Sequence, residues 1–308
     1  MFMRNRIITF AGLLLLVLTG LSSCEKMVIE EDDNGGQPAV ESNANLILKI
    51  VADETRGDIS DYWKTLNFVV YQGDKKVKAV TQKAGESDYG KVGMTLAQGT
   101  YQVMVLAHSS ANPTLSNPEN VKFTNDDGFS DTFTGYNASV EVGDQPKTYE
   151  IRLTRATSML RFKTKDVKPA RVTRLWFQYR GGSGAVNVLT GYGVDASIQT
   201  VVVDVPDSLT GKSLTFDFYT FLREDEGTLS LSIKAFDSKG SLLLFPGMDE
   251  KEYICEFKDI PMKRNEITEY SGNFFEGVPA DDARADSTAS SFTIIADTAW
   301  AGITHYDF

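Results

Sequence analysis

Few residues in this chain have the types and spacing that chemistry needs. Its 308 residues include two cysteines and two histidines, too few for a disulfide framework or a Cys/His zinc site. A nucleophilic hydrolase needs Ser or Cys beside a base, yet His108 follows a strand-like run and His305 lies near the C-terminus, neither within a motif. Gly181-Gly182-Ser183-Gly184-Ala185 has the outline of a nucleophile elbow but lacks its last glycine and a following helix, so a hairpin turn is the expectation there. Asn125-Asp126-Asp127-Gly128 with Asp131 offers oxygen ligands without the alternation and terminal Glu of a calcium loop, and reads as a polar loop. Paired carboxylates discriminate nothing among 42 acidic residues. The expectation is a chain with no catalytic residues, no metal and no cofactor.

The one residue whose surroundings specify a reaction is Cys24. Arg4 and Arg6, the apolar run from Ile7 to Val17, and Leu18-Thr19-Gly20-Leu21 have the layout of a secretory signal peptide over residues 1–23. The run is too short to span a bilayer. Leu21-Ser22-Ser23-Cys24 resembles the bacterial lipobox, in which small residues admit the signal peptidase and the cysteine thiol receives diacylglycerol. Cys24 is then the lipidated N-terminus, and its several acyl chains make a durable anchor where one alone binds marginally. Cys255, in the alternating Tyr253-Ile254-Cys255-Glu256-Phe257, reads as a structural thiol.

Charge narrows the partners. The full chain carries 31 basic and 42 acidic residues; removing residues 1–23 takes away two arginines and no acid, leaving a formal charge of −13. Such a protein repels nucleic acid. Residues 24–44 carry Glu25, Glu30, Glu31, Asp32 and Asp33 followed by Asn34-Gly35-Gly36, the composition of a tether. Acidic residues so soon after the lipidated cysteine also resemble the signal by which Bacteroidetes display lipoproteins on the outer face of the outer membrane.

Positioning falls to strands. From Asn45 the pattern is two-residue: Leu46, Leu48 and Ile50 share one face, and Tyr101, Val103, Val105 and Ala107 repeat the pattern. Similar runs cover 66–71, 149–153, 159–162, 172–179, 214–222, 229–236 and 267–275, separated by Gly/Asp/Asn/Ser turns. No long stretch favours a helix. These patterns predict an all-β chain with antiparallel sandwich domains at 45–154 and 155–275. Residues 276–308 then form a polar linker ending in a strand-like tail, where Phe292 and Ile294 alternate with polar neighbours and Trp300, Tyr306 and Phe308 fall on one face. Such a tail can join its own sheet or another molecule's, because backbone hydrogen bonds do not identify their owner.

The lipobox at Cys24, Ala44-Asn45-Leu46-Ile47-Leu48-Lys49-Ile50, Asp53-Glu54-Thr55-Arg56-Gly57, Leu66 to Tyr71, Ile151-Arg152-Leu153-Thr154-Arg155-Ala156 and Pro261-Met262-Lys263-Arg264-Asn265-Glu266-Ile267-Thr268 together resemble the fimbrillin superfamily of Bacteroidetes, subunits and anchors of type V pili. The resemblance implies two tandem transthyretin-like (Ig-like) β-sandwiches. It implies a surface-exposed, outer-membrane lipoprotein of a fimbrium that acts in assembly and adhesion through strand exchange with other fimbrial subunits, with a host or bacterial surface ligand. Shaft subunits of that family are cleaved after an arginine beyond the first strand, and Arg56 matches that position; a solvated loop arginine is the competing reading. Cleavage removes the first strand and opens a groove for a neighbour's C-terminal strand, for which Phe292, Ile294, Trp300, Tyr306 and Phe308 are the donor candidates here; anchors keep both lipid and first strand. Arg56-Gly57-Asp58 reads as turn chemistry rather than an integrin motif. Asp207-Ser208-Leu209 and Asp297-Thr298-Ala299 resemble short O-glycosylation motifs of the same bacteria. The alternative is a surface-exposed glycan-binding lipoprotein that presents Trp176 and Tyr179 to a sugar ring, although both also suit a sheet core.

Replacing Cys24 by Ser is expected to release the protein from membranes and abolish palmitate labelling. Retained label in the variant would refute acylation at this residue.

Overall fold

The computed structural model describes residues 40–51, 63–110, 113–123, 129–244, 254–275 and 300–308. Strands β1 (Leu46–Val51), β2 (Thr65–Gln72), β3 (Lys75–Lys83), β4 (Lys91–Met94), β5 (Gly99–His108), β6 (Val121–Lys122), β7 (Phe133–Val142), β8 (Lys147–Arg152) and β9 (Thr154–Arg155) build the first half. One sheet has the order β4-β1-β8 and faces a second of order β3-β2-β5-β7-β9. The alternation of β1 has the expected result: Leu46, Leu48 and Ile50 are buried and pack with Phe68, Val70, Val103, Val105 and Ile151.

The second half contains β10 (Ser158–Thr164), β11 (Arg174–Arg180), β12 (Ala185–Asn187), β13 (Tyr192–Gly193), β14 (Gln199–Asp204), β15 (Thr215–Thr220), β16 (Glu226–Phe236), β17 (Leu242–Leu243), β18 (Cys255–Lys263), β19 (Glu266–Gly272) and β20 (Gly302–Asp307). Here a sheet of order β15-β10-β19-β20 faces one of order β14-β11-β16-β17, with β18 also paired to β16. Leu160, Phe162, Leu175, Phe177, Leu231, Ile233 and Phe274 form its core. Among the described residues the only helical element is a 3-10 turn at Asp207–Leu209, so the chain is all-β.

Alternation does not reveal direction, and three pairings are parallel: β1 with β8, β10 with β19 and β19 with β20. Each half thus begins with a strand placed between an antiparallel neighbour and the half's late, parallel one. The continuous apolar run Phe68-Val69-Val70-Tyr71 also has a structural cause. β2 is covered on both faces, because Val69 and Tyr71 turn away from the first core and pack with Met104, Leu106, Val186 and Phe221, a cluster shared by the two halves. A three-strand sheet, β13-β12-β6, joins the halves at the same place.

The hairpin expected at Gly181-Gly182-Ser183-Gly184 is a corner instead. β11 pairs with β14 and β16, while β12 leaves to pair with β13 and β6. The glycines permit the corner: Gly181 has φ +109°, and a Cβ on Gly182 would sit 1.8 Å from the Thr220 hydroxyl oxygen. Ser183 is fully buried and donates to the Ala185 carbonyl at 2.8 Å, a structural role.

His108 is equally structural. It is fully buried, with Nε2 2.8 Å from Asn67 Oδ1, and Asn67 donates through Nδ2 to Thr81. Burial, reinforced by the nearby Lys83 charge, pushes its pKa from 6.5 down to about 4. The fold holds the neutral imidazole, so its contribution is complete above about pH 6.5 and is lost as pH falls toward 4. Chemical denaturation at pH 7 and pH 4.5 is expected to show wild type losing roughly 2 kcal/mol more stability than His108→Gln. Equal losses would show that this imidazole does not govern the acid response.

Candidate functional site

Strand β20 is the only described segment after Phe275, and its seat is the outer edge of β19. Pairing runs in parallel from Glu266↔Gly302 to Ser271↔Asp307 without a bulge. Parallel neighbours are joined by more than a tight turn, and 24 residues of sequence, 276–299, lie outside the described residues between Phe275 and Trp300. The ladder alone fixes no owner; the two ends are where side chains add specificity.

At the leading end, Ala301 N–H donates to the Asn265 carbonyl at 2.9 Å. Asn265 occupies the β18–β19 turn with φ +58°, a left-handed conformation that asparagine tolerates. The Trp300 ring lies over the Arg155 guanidinium, 3.9 Å from its centroid to Cζ, with the Phe133 ring 4.5 Å from the same carbon. The Arg155 side chain is 1% exposed, and its Nε and Nη2 donate to the Asp131 carboxylate at 2.8–2.9 Å. Thr157 Oγ1 donates to the same carboxylate at 2.6 Å. One guanidinium therefore touches β7, the β18–β19 turn through Asn265 Oδ1 at 3.5 Å, and the C-terminal strand.

At the trailing end, the Phe308 ring stacks on Phe162 and Tyr270 with centroids 5.1 and 5.0 Å away, and meets Phe257 at 4.6 Å. Phe308 N–H donates to the Ser271 carbonyl at 3.0 Å. Gly272 makes room, since a Cβ there would lie 2.3 Å from the Phe308 carbonyl oxygen. Lys165 and Ser271 donate to Asp307, holding its carboxyl below the usual carboxylate range, with Lys165 the larger influence. His305 Nδ1 sits 3.3 Å from Glu269 Oε1.

Of the donor candidates, Trp300 and Phe308 thus clasp the two ends of the strand, while Tyr306 is 37% exposed. Phe292, Ile294, Cys24 and Arg56 lie outside the described residues. Arg155, Lys165, Ser271 and Gly272 were not visible as site residues in the sequence, because their partners at 131, 300, 307 and 308 are remote along the chain and no local pattern links them. Asn265 had a signal: an Asn between charged residues separating two alternating runs is a turn.

The other candidates separate. Trp176 and Tyr179 point to opposite faces of β11. Tyr179 is 1% exposed and donates to the Tyr219 carbonyl, while half-buried Trp176 has Lys234 5.5 Å over its ring. Those two cannot form one sugar platform. Asp131 is committed to Arg155 and Thr157, and residues 124–128 of the acidic loop lie outside the described ones. Among the described residues no three His, Cys, Asp or Glu side chains gather as metal ligands. Cys255 is half-buried, and burial raises its thiol to about 11, which disfavours the reactive thiolate.

Comparison with known proteins gives a family and several structural likenesses. A model described as "Family of unknown function (DUF6562)" matches residues 47–294. No curated protein matches the sequence. Similar solved structures include a candidate adhesin of Bacteroides ovatus (10% identity, TM-score 0.46, covering 73% of this chain and 88% of that one). A candidate polysaccharide-binding protein of Bacteroides thetaiotaomicron has 13% identity and TM-score 0.44, over 65% of this chain and 79% of that one. The fimbrial anchor protein Mfa2 of Porphyromonas gingivalis has 12% identity and TM-score 0.36, over 65% and 80%.

The Phe308 ring is half-buried, so Phe308→Ala is expected to weaken the seat by about 1–2 kcal/mol. In hydrogen exchange, amides of residues 302–307 should lose roughly tenfold or more of their protection while those of β10 and β16 keep theirs. Unchanged exchange at 302–307 would show that the aromatic clasp does not hold the strand.

Proposed function

We propose that this chain, which belongs to the family of unknown function DUF6562, is a non-enzymatic structural subunit or membrane anchor of a cell-surface fimbria that assembles by strand complementation and serves adhesion. The observation that carries this reading is the placement of the C-terminus as an added strand on β19. Its seat consists of a backbone ladder and a few end contacts, and a second copy offers the same ladder and the same contacts. The described residues resume at Trp300 after a stretch of 24 residues, 276–299, and a chain of that length can span up to about 80 Å. Exchange between copies is therefore within the chain's length. Similar solved structures are described as adhesins and a fimbrial anchor.

The other end of the chain suits the same role. β1 lies between β4 and β8, and its Leu46 and Leu48 side chains are fully buried. Cleavage after Arg56 would free it, leaving an apolar groove with unpaired backbone on two sides. An uncleaved chain, acylated at Cys24 and displayed on the outer membrane, would keep β1 and act as the anchor. In this reading the sandwiches divide near residue 154, residues 24–44 tether them to the lipid, and the partners are fimbrial subunits and a surface ligand. A glycan-binding role is the second reading, and Trp176 with Tyr179 does not favour it.

Mass spectrometry of the N-terminal peptide from cell-surface material separates the two roles. A chain beginning at Gly57 is a polymerising subunit, and one beginning at acylated Cys24 is an anchor. Deleting residues 291–308 should eliminate SDS-resistant oligomers; an unchanged ladder would overturn strand complementation.

A further inference from the structure

The two halves repeat one arrangement, and the repeat leaves one position filled in the second half and unfilled in the first. In the order β4-β1-β8 the central strand is antiparallel to one neighbour and parallel to the other, as in β15-β10-β19. A cross-strand pair of opposite charges marks the common register: Lys49↔Glu150 in the first half and Arg161↔Glu269 in the second. The next position inward matches too, with Ile50↔Ile151 against Phe162↔Tyr270. Beyond β19 lies β20; beyond β8, among the described residues, no strand follows. Exposure agrees: Glu269 and Ser271 are partly or fully covered, whereas Glu150 and Arg152 are exposed.

We propose that the outer edge of β8 is a second seat for a C-terminal strand, occupied by residues 302–307 of a second copy of this chain. This rests on the strand-complementation reading and names its acceptor. Carrying the β19–β20 register onto β8 places His305 opposite Glu150 and Asp307 opposite Arg152. The first repeats the His305–Glu269 contact of the filled seat, and the second gives Asp307 a cation in place of Lys165. A slip of two residues, which also keeps each face on its own side, would set Asp307 against Glu150, so charge selects the register.

The edge itself is built to accept. β8 pairs with β1 over six residues without interruption, and its N–H and C=O groups on the far side point away from that ladder. Two other sheet edges are guarded. β3 carries Lys75, Lys76 and Lys78 with a bulge against β2, and β18 carries Pro261 with a bulge against β16. Lysines, proline and bulges are devices that discourage strand addition. β8 has one lysine at its start and then Glu150 and Arg152, which match the incoming strand.

The test uses two full-length forms produced together in cells, both carrying Cys255→Ser. One has Glu150→Cys and the other His305→Cys, so that a disulfide between them can form only between copies; neighbouring positions on paired strands satisfy disulfide geometry. A mixed dimer on non-reducing gels is expected. Arg152→Asp in the acceptor should lower its yield by about tenfold, and Asp307→Arg in the donor should restore it. Capture of His305→Cys by Glu269→Cys of another copy but not by Glu150→Cys would overturn the β8 seat while leaving strand complementation standing. No capture at β8, with assembly still dependent on residues 291–308, would do the same. No capture together with assembly indifferent to that deletion would remove both.

Discussion

Taking the Arg155 guanidinium out of water costs several kcal/mol, and the surroundings must return that energy through pairing. They do so with groups from the segment 131–133 and from the start of the C-terminal strand segment. Asp131 supplies a two-pronged carboxylate, Phe133 covers one part of the guanidinium, and Trp300 covers another from the C-terminal strand. Thr157 in turn fixes the carboxylate. The consequence is a dependence that runs in both directions. Without Trp300 in place, part of a buried cation loses its cover; without Arg155, the strand's leading end loses its principal contact to the first half. The apolar cluster of Val69, Tyr71, Met104, Val186 and Phe221 nearby holds the halves together without charge. Stability of the junction thus comes from packing, while the position of the tail is set by one cation that has to be covered.

How much of this could be read beforehand differs by element. The inward face of β1 followed from Leu46, Leu48 and Ile50, since period-two burial has one physical solution. The run at 68–71 marked a strand but hid that its second face packs on the other half, because a continuous apolar run looks the same whichever neighbour covers it. Parallel pairing of β1 with β8 joins residues about a hundred positions apart, and nothing in local sequence encodes direction or partner. The Gly181-Gly182 corner looked like a hairpin for the same reason: glycine announces a turn but not which strand the chain pairs with after it. Within the candidate site, Trp300 and Phe308 were visible as apolar residues on a common face, whereas Arg155 looked like an ordinary charged residue at the end of a strand.

The repeated arrangement explains why both termini of the body lie beside comparable strands. In each half the first strand has a parallel neighbour, and that neighbour's outer edge holds the same place in the repeat. β19 has satisfied this edge with β20, and the cover shows in the burial of Thr268, Ser271 and Gly272. The first half has the same frame and a more polar edge. Lys147, Thr148, Glu150 and Arg152 keep it compatible with water, which a free edge must be if the chain is to exist unpaired.

Charge sets the remaining limit on assembly. A chain with a formal charge of −11 repels its copies, so contacts between them cannot draw on long-range attraction and must be made by short-range, stereospecific groups. At physiological salt, charges more than about 8 Å apart are largely screened, which leaves the backbone ladder and adjacent pairs in control. The C-terminal strand is suited to this regime. It carries one acid at Asp307, one histidine at His305 and aromatic rings at its ends, so it adds little repulsion and most of its hold comes from hydrogen bonds and ring stacking. The acidic surface then discourages unselective aggregation of an exposed β protein, and in the proposed exchange the strand that would meet another sheet brings a single acidic side chain, Asp307.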